Sequence, residues 1–184
     1  MKNDDIFGED EGLVTAFPDY DNAKRDFYNS DAVLLKHNVA LAKATGWTLV
    51  RNSTGYNPRY DSVYRKPDDK EVTVEHKDDW YEEFSGNVFF ETSKNAHDKL
   101  ELSGIMVCPA DYWAQYIPSR GTVGLFRTAE LKKRIAENEV LFETMDKCGQ
   151  GYRIIGWLIN RDKFLELVKG LPVIWYPFTE KKPK

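Results

Sequence analysis

The stretch RYDSVYRKPDDKEVTVEHK, residues 59–77, decides the fold because its pattern predicts a β-hairpin. Side chains alternate with a period of two on both sides of a central KPDDK segment, which is typical of two short strands. Proline presets φ and aspartate tolerates tight backbone geometry, so residues 66–70 are predicted to form the turn. A loop of this length pairs Arg65 with Glu71 across the hairpin.

The same register places Asp61 directly opposite Glu75. Facing residues of an antiparallel pair have Cβ atoms about 4.5–5.5 Å apart, and like charges there are destabilising. Lys77 lies two residues beyond Glu75 and therefore on the same face. Two carboxylates beside an ammonium group predict a site for Mg²⁺ or Mn²⁺, which prefer oxygen ligands and bridge to substrate phosphates. The alternative is a solvated strand edge with a cross-strand ion pair.

The composition is that of a globular protein, with 184 residues, 41% hydrophobic and 14% aromatic. It predicts a single domain over residues 21–184, preceded by a loosely ordered acidic arm over residues 1–20. There is no apolar run of membrane-spanning length, no signal-peptide pattern, and too few cysteines for a zinc site, so a cytoplasmic protein is expected. The net charge of −4 argues against nucleic-acid binding by the whole surface but leaves a local basic patch open.

A helix is predicted over residues 21–44, where apolar residues recur at intervals of seven. Asp31 and Asn38 fall within about 40° of this stripe on a helix of 3.6 residues per turn. One interpretation is that both are hydrated at the edge of the stripe. The other is that the helix packs on the sheet and directs Asp31 towards the carboxylate pair. The stripe consists of Phe27, Leu34 and Leu41.

Beyond the hairpin, the chain is predicted to alternate between strands and helices. The polar segment 93–101 is interpreted as an excursion, and residues 171–178 as a proline-bounded tail. The resulting order predicts an α/β (α+β) protein with a central mixed β-sheet flanked by helices. Strands are predicted over residues 47–52, 88–92, 122–127 and 152–159, and helices over residues 110–116, 129–138 and 162–169.

This order, with Asp61 on one strand and Glu75-His76-Lys77 on the next, resembles the PD-(D/E)XK nuclease superfamily. The strings SGNVFFET and LSGIMVCPADYW are similar to small phage-type or resolvase-like members of it. The resemblance covers roughly residues 23–127 and implies a restriction-endonuclease-like αβββαβ core. Tyr60 stands before Asp61, where proline is common in the superfamily.

The resemblance also implies roles for individual residues. Asp61 and Glu75 would be metal ligands, Lys77 the catalytic lysine, and the backbone carbonyl of His76 a further ligand. Asp31 would take the place of an acidic residue, more often glutamate, on the first helix. Glu91 has two interpretations of equal weight, as a carboxylate that supports the site from behind the ligands or as a structural hydrogen-bonding group.

We therefore expect a Mg²⁺- or Mn²⁺-dependent DNA endonuclease that hydrolyses phosphodiester bonds, with a preference for branched DNA left open. The alternative is a non-catalytic binding or inhibitor protein on the same fold, acting in a replication, repair or defence complex, because an acidic chain suits a basic protein partner. A dimer is compatible with either function, and the compartment would be the host cytoplasm if the protein is viral. Tyr112, Trp113 and Tyr116 are a pattern more often found in a core or interface than in a base platform, and a solvated face explains Lys132, Lys133 and Arg134 equally well. With these alternatives open, two sets of side chains could contact DNA: the aromatic residues Trp80, Tyr81, Tyr112, Trp113 and Tyr116, and the basic residues Lys94, Lys99, Arg120, Arg127, Lys132, Lys133 and Arg134.

Overall fold

A computed structural model describes residues 20–53, 59–96, 99–149 and 152–179 of the chain. Residues 1–19, which make up almost all of the predicted acidic arm, lie outside this description. No helix within the described ranges has the length and apolar character needed to cross a membrane.

The described residues contain four α-helices and ten strands, and the strands form two sheets. The helices are α1 (Tyr20–Thr45), α2 (Glu82–Ser85), α3 (Thr128–Ala136) and α4 (Arg161–Leu167). The strands are β1 (Thr48–Asn52), β2 (Ser62–Arg65), β3 (Glu71–Lys77), β4 (Asn87–Ala96), β5 (Lys99–Leu102), β6 (Tyr112–Ile117), β7 (Thr122–Arg127), β8 (Glu143–Gly149), β9 (Tyr152–Asn160) and β10 (Ile174–Pro177).

The larger sheet has the strand order β1-β2-β3-β6-β7-β10 and is mixed. Its strands β3 and β6 are parallel, whereas its other neighbouring pairs are antiparallel. The smaller sheet, with the order β5-β4-β9-β8, is antiparallel throughout. The chain passes from β3 to β6 through α2, β4 and β5, so part of the second sheet belongs to the crossover.

The β2–β3 hairpin has the predicted register. In the turn, the Lys66 amide donates to the Lys70 carbonyl, and the Asp69 amide donates to the Lys66 carbonyl, each at 3.0 Å. Asp69 has a φ of 63°, a left-handed conformation that aspartate adopts more readily than most residues. Arg65 faces Glu71 across the pair, as expected from a five-residue loop.

Each face of the six-stranded sheet is covered by a different set of side chains. Facing residues on neighbouring strands point to the same side of a sheet, so the register assigns each residue to a face. Leu41 of α1 packs on one face with Tyr64, Val74, Tyr116 and Tyr176. The smaller sheet, α3 and α4 cover the other face, where the buried cluster includes Phe90, Trp113, Phe126, Leu131 and Phe164. A mixed sheet flanked by helices is thus confirmed.

Asn38 is one of the two polar residues near the apolar stripe of α1, and the structure shows its role. It is buried, and its Oδ1 accepts hydrogen bonds from the Ser62 hydroxyl, at 2.9 Å, and from the Tyr64 hydroxyl. Its Nδ2 donates to Asn52 Oδ1 at 2.7 Å. The interpretation that Asn38 is hydrated is therefore wrong, because it fixes α1 on the sheet through hydrogen bonds inside the core.

The helix predicted over residues 110–116 is wrong, because the segment forms strand β6. Pro109 and Asp111 resemble a helix start, but the sequence YWAQYI is rich in residues that favour buried strands. Strands β3 and β7 pair with both of its edges, and every residue of β6 is buried. Asp111 instead accepts hydrogen bonds from the Thr73 amide at 2.8 Å and the Thr73 hydroxyl at 3.0 Å.

The prediction of one sheet was also incomplete. The polar segment 93–101 contains the outer part of β4 and the start of β5, and the tail 171–178 contains the edge strand β10. Strand β8 was not predicted at all. Strand β5 is exposed along its whole length, so it lacks the one-sided burial that gives a strand its alternating pattern.

Replacing Asn38 by alanine should lower the free energy of unfolding by about 2–3 kcal/mol, because the substitution leaves the buried Ser62 and Tyr64 hydroxyls without their acceptor. Val39→Ala is the matched control, since Val39 is the next residue of α1 and its side chain is 64% exposed. This control should change stability by less than about 0.5 kcal/mol. Urea unfolding measures both, and equal stability of Asn38→Ala and wild type would contradict the role of this network.

Candidate active site

The candidate site lies at the end of the β2–β3 hairpin that is farther from the turn. The Asp61 amide donates to the Val74 carbonyl at 3.0 Å, and the Ser53 amide donates to the Asp61 carbonyl at 2.7 Å. Ser62 is the residue that faces Val74, so Asp61 and Ser62 both lie against Val74, as in a β-bulge, and Asp61 is not directly opposite Glu75 as predicted. Asp61 Oδ2 then accepts a hydrogen bond from the His76 amide at 2.8 Å. The carboxylate therefore lies against the backbone of β3, between Glu75 and Lys77.

The carboxyl group of Asp61 is in a poor environment for a negative charge. Burial, followed by the charge of Glu75, raises its pKa from 3.8 to about 6, with a further contribution from Asp78. The hydrogen bond from the His76 amide and the charge of Lys77 oppose this rise without cancelling it. The two carboxylates are thus close enough to repel each other, although they do not face each other directly across the two strands.

Lys77 forms an ion pair with Glu75, in which Nζ and Oε1 are 2.6 Å apart. The Lys77 side chain is 40% exposed, and its Nζ lies 5.5 Å from the centre of the buried Trp113 ring. Burial lowers the pKa of Lys77, but the charges of Glu75, Asp61 and Glu91 outweigh burial and hold the pKa above its ordinary value. The lysine is therefore a cation at neutral pH, with an aromatic ring beneath it.

Glu91 approaches this group from the second sheet. Its Oε1 accepts a hydrogen bond from the Ser103 hydroxyl at 2.5 Å, and the Ser103 amide donates to the Thr92 carbonyl at 2.9 Å. Gly104, with a φ of 54°, packs so closely that a Cβ on it would lie 2.3 Å from the Glu91 carbonyl oxygen. The segment after β5 therefore holds Glu91 in place, and the charge of Glu91 acts on Lys77.

The imidazole of His76 does not belong to this site. It lies on the α1 face of the sheet, 5.4 Å from the ring of His37, and neither of its ring nitrogens has a hydrogen-bond partner among the described residues. Burial, followed by the charges of His37 and Lys77, holds the pKa of His76 well below its ordinary value. The prediction for His76 concerned only its backbone carbonyl, and the structure shows the amide of this residue bonded to Asp61.

Asp31 lies within α1, but its side chain is outside the described part of the structure. Helix α1 packs on the face of the sheet that carries Ser62 and Tyr64, whereas Glu75 and Lys77 point to the opposite face. The packing of α1 therefore adds no support for Asp31 as a ligand beside Glu75.

Asp61 and Glu75 offer the donor set that a hard divalent cation requires. The described residues contain no cluster of three or more His, Cys, Asp or Glu side chains arranged around a common point. Mg²⁺, however, is usually bound through one or two carboxylates and keeps several waters. Burial first, and the nearby charge of Glu75 second, raise the pKa of Asp61, and Lys77 offsets this rise only in part. The two carboxylates therefore fit a cation that takes its remaining ligands from water and substrate.

The sequence reasoning did not identify three contributors to the site. Trp113 lies beneath Lys77, Gln115 faces Lys77 across the parallel pair β3–β6, and Ser103 holds Glu91. Gln115 is fully buried and accepts a hydrogen bond from the Trp113 indole at 3.0 Å. The period-two pattern of residues 112–117 was the signal that could have found Trp113 and Gln115. Burial of Tyr112, Trp113 and Tyr116 also excludes them as platforms for DNA bases.

Comparison of this chain with protein-family models, curated proteins and solved structures finds no match. The resemblance to PD-(D/E)XK nucleases consequently depends on the motif residues and their arrangement alone. That arrangement is Asp61 bonded to the His76 amide beside Glu75, with Lys77 bonded to Glu75.

Replacing Asp61 by asparagine should stabilise the metal-free protein at pH 7. Because the folded-state pKa of Asp61 is raised to about 6, ionisation weakens the fold as the pH rises from about 4 to 6. The variant should gain on the order of 2 kcal/mol at pH 7 and lose this advantage as the pH falls through the same window. Urea unfolding in chelator over a pH series measures the effect.

Asp111→Asn is the control, because Asp111 is an aspartate bonded to β3 through Thr73, away from the carboxylate pair. It should show no gain at pH 7. A wild type and an Asp61→Asn variant of equal stability at every pH would show that Asp61 and Glu75 do not repel each other.

Proposed function

We propose that this protein is a Mg²⁺- or Mn²⁺-dependent endonuclease that hydrolyses phosphodiester bonds in DNA. The observation that carries the proposal is the proximity of two carboxylates, Asp61 and Glu75, at the open end of a hairpin, with Lys77 bonded to Glu75. A purely structural ion pair needs one carboxylate, whereas this arrangement contains a second one that raises the local negative charge. Such excess charge is typical of a site that receives a cation.

Asp61 and Glu75 are the residues that would hold the metal. A bound Mg²⁺ supplies stabilisation of charge developing on the phosphate and a more acidic water. Asp61 is fixed for this task, since its Oδ2 is bonded to the His76 amide and its Oδ1 accepts no hydrogen bond from the described residues. The side chain therefore presents one oxygen in a defined direction.

Lys77 acts as a cation rather than as a base in this proposal. Its raised pKa keeps the ammonium protonated at neutral pH, and an ammonium has three N–H donors. Glu75 accepts from one of them, so the remaining donors can contact a phosphate oxygen or orient a water. Glu91, held by Ser103, contributes a third negative charge, after those of Glu75 and Asp61, that keeps Lys77 charged.

A non-catalytic binding protein is the second candidate, and one observation favours it. The ion pair between Lys77 and Glu75 satisfies both groups without a metal. Together with the net charge of −4, it is compatible with an acidic surface that binds a basic protein. Metal binding separates the two proposals, because only the nuclease requires the carboxylates to take up a divalent cation.

Wild-type protein should cleave a plasmid or a branched DNA junction with Mg²⁺ or Mn²⁺ and should be inactive in chelator. Glu75→Ala should lower the rate by about 100-fold or more, since loss of one charge-stabilising group removes several kcal/mol from a transition state. Lys77→Ala should lower the rate while leaving metal affinity less affected, because an ammonium is not a ligand. Gel assays measure cleavage and calorimetry measures metal binding.

Glu71→Ala and Lys70→Ala are the matched controls, because both residues lie on the same hairpin and are exposed. Glu71 has the same face and strand as Glu75 but pairs with Arg65 and Arg51. Both controls should cleave at the wild-type rate. If wild type leaves both substrates intact with either metal and calorimetry shows no metal binding, the binding-protein proposal replaces the nuclease.

A further inference from the structure

A cleft of about 500 Å³ opens at the edge of the six-stranded sheet, between β10 and the segment that follows α4. Its volume is in the range of sites that hold small ligands. The floor is apolar and includes Val168, Leu171 and Val173. Trp175 of β10 forms one wall with a ring that remains 41% exposed.

The charged groups of the cleft are cations. Arg120 and Lys169 line it, and none of its lining residues is an aspartate or glutamate. Among the described residues Lys169 pairs with Glu166 alone, at 3.3 Å, and this exposed pairing competes weakly with a ligand. The guanidinium of Arg120 has no hydrogen bond or ion pair within the part of the chain that the structure describes. In a protein with a net charge of −4, this local positive charge selects an anion.

The ring of Trp175 is fixed in a position where it can stack on a ligand. It packs against Phe126 with ring centres 5.7 Å apart, in an edge-on arrangement. Gly124 makes this possible, because a Cβ there would lie 2.7 Å from the Phe126 ring and 2.8 Å from the Trp175 ring. The remaining ring surface is available beside two cations.

The register of the sheet places one residue of the cleft and one residue of the candidate active site in the same row. Lys77 faces Gln115, Gln115 faces Gly124, and Gly124 faces Trp175. These four residues form one row across the sheet and share a face. Three strand spacings of about 4.8 Å separate β3 from β10, so the backbones of Lys77 and Trp175 are about 14 Å apart.

We propose that this cleft binds single-stranded DNA, with an unpaired base stacked on Trp175 and its phosphate between Arg120 and Lys169. An aromatic ring beside cations is the combination that holds unpaired nucleotides without reading their sequence. The inference rests on the proposed nuclease function and extends it, because it assigns a substrate with an unpaired strand next to the cleavage point. Duplex DNA does not offer an exposed base face to Trp175.

The test is fluorescence anisotropy with a labelled oligothymidylate and a blunt duplex, both in chelator so that no cleavage occurs. Wild type should bind the oligothymidylate more tightly than the duplex. Trp175→Ala and Arg120→Glu should each weaken oligothymidylate binding by about tenfold or more. Arg120→Ala should also reduce the slope of log affinity against log salt by about one.

Two exposed residues, one on β10 and one on β7, provide matched controls. Ile174 precedes Trp175 on β10, points to the opposite face and is 39% exposed, so Ile174→Ala should bind like wild type. Arg127 lies at the other end of β7 from the cleft, so Arg127→Glu should have little effect. Thermal unfolding of each variant confirms that it is folded, and Arg120→Glu tests the cleft without altering the core.

Several results would overturn the inference: no oligothymidylate binding by wild type, unchanged binding by Trp175→Ala and Arg120→Glu, or equal binding of the duplex with sensitivity to Arg120 alone. Glu75→Ala separates this proposal from the nuclease. If it binds the oligothymidylate normally but does not cleave, both proposals stand. If wild type binds the oligothymidylate at the cleft but never cleaves DNA, the cleft proposal stands and the nuclease proposal is rejected. If wild type cleaves DNA but its binding does not depend on the cleft residues, the nuclease proposal stands and the cleft proposal is rejected.

Discussion

The register of the β2–β3 hairpin is the constraint on which the rest of the structure depends. The turn at residues 66–70 sets it, through two backbone hydrogen bonds and the left-handed conformation of Asp69. A shift by one residue would move every side chain of one strand to the opposite face. The present register puts Val72 and Val74 into the core beneath α1 and leaves Glu75 and Lys77 on the other face. Core packing and site chemistry are therefore fixed by the same turn.

This constraint forces two carboxylates together, and the surrounding structure only partly compensates for their repulsion. The His76 amide and Lys77 lower the energy of ionised Asp61, yet burial and the charge of Glu75 still raise the pKa of Asp61 to about 6. A protein selected only for stability would gain by removing one of these charges. Retaining both is the pattern in which local stability is exchanged for function.

The hairpin and its acidic pair could be predicted because turn chemistry and period-two alternation are local properties. Strand β6 could not, since Pro109 and Asp111 mimic a helix start and only pairing with β3 and β7 makes the segment a strand. The sequence also leaves the role of Glu91 open, because the contact that fixes its side chain is not local. Its hydrogen bond to Ser103 joins residues twelve positions apart, one on β4 and the other directly after β5. Asn38 was located correctly on the apolar stripe, but its buried partners come from β1 and β2.

Parallel pairing of β3 with β6 determines where the candidate site lies. The carboxyl ends of these strands meet at one edge of the sheet, and β7 begins at the same edge, where Ile117 faces Thr122. The turn that carries Arg120 therefore lies at the edge to which Lys77 also belongs. Because the crossover from β3 to β6 runs through β4, the same pairing brings Glu91 to Lys77. The positions of the candidate site and of the cleft thus both depend on the pairing of β3 with β6. This pairing is long-range, so no local sequence pattern reveals it.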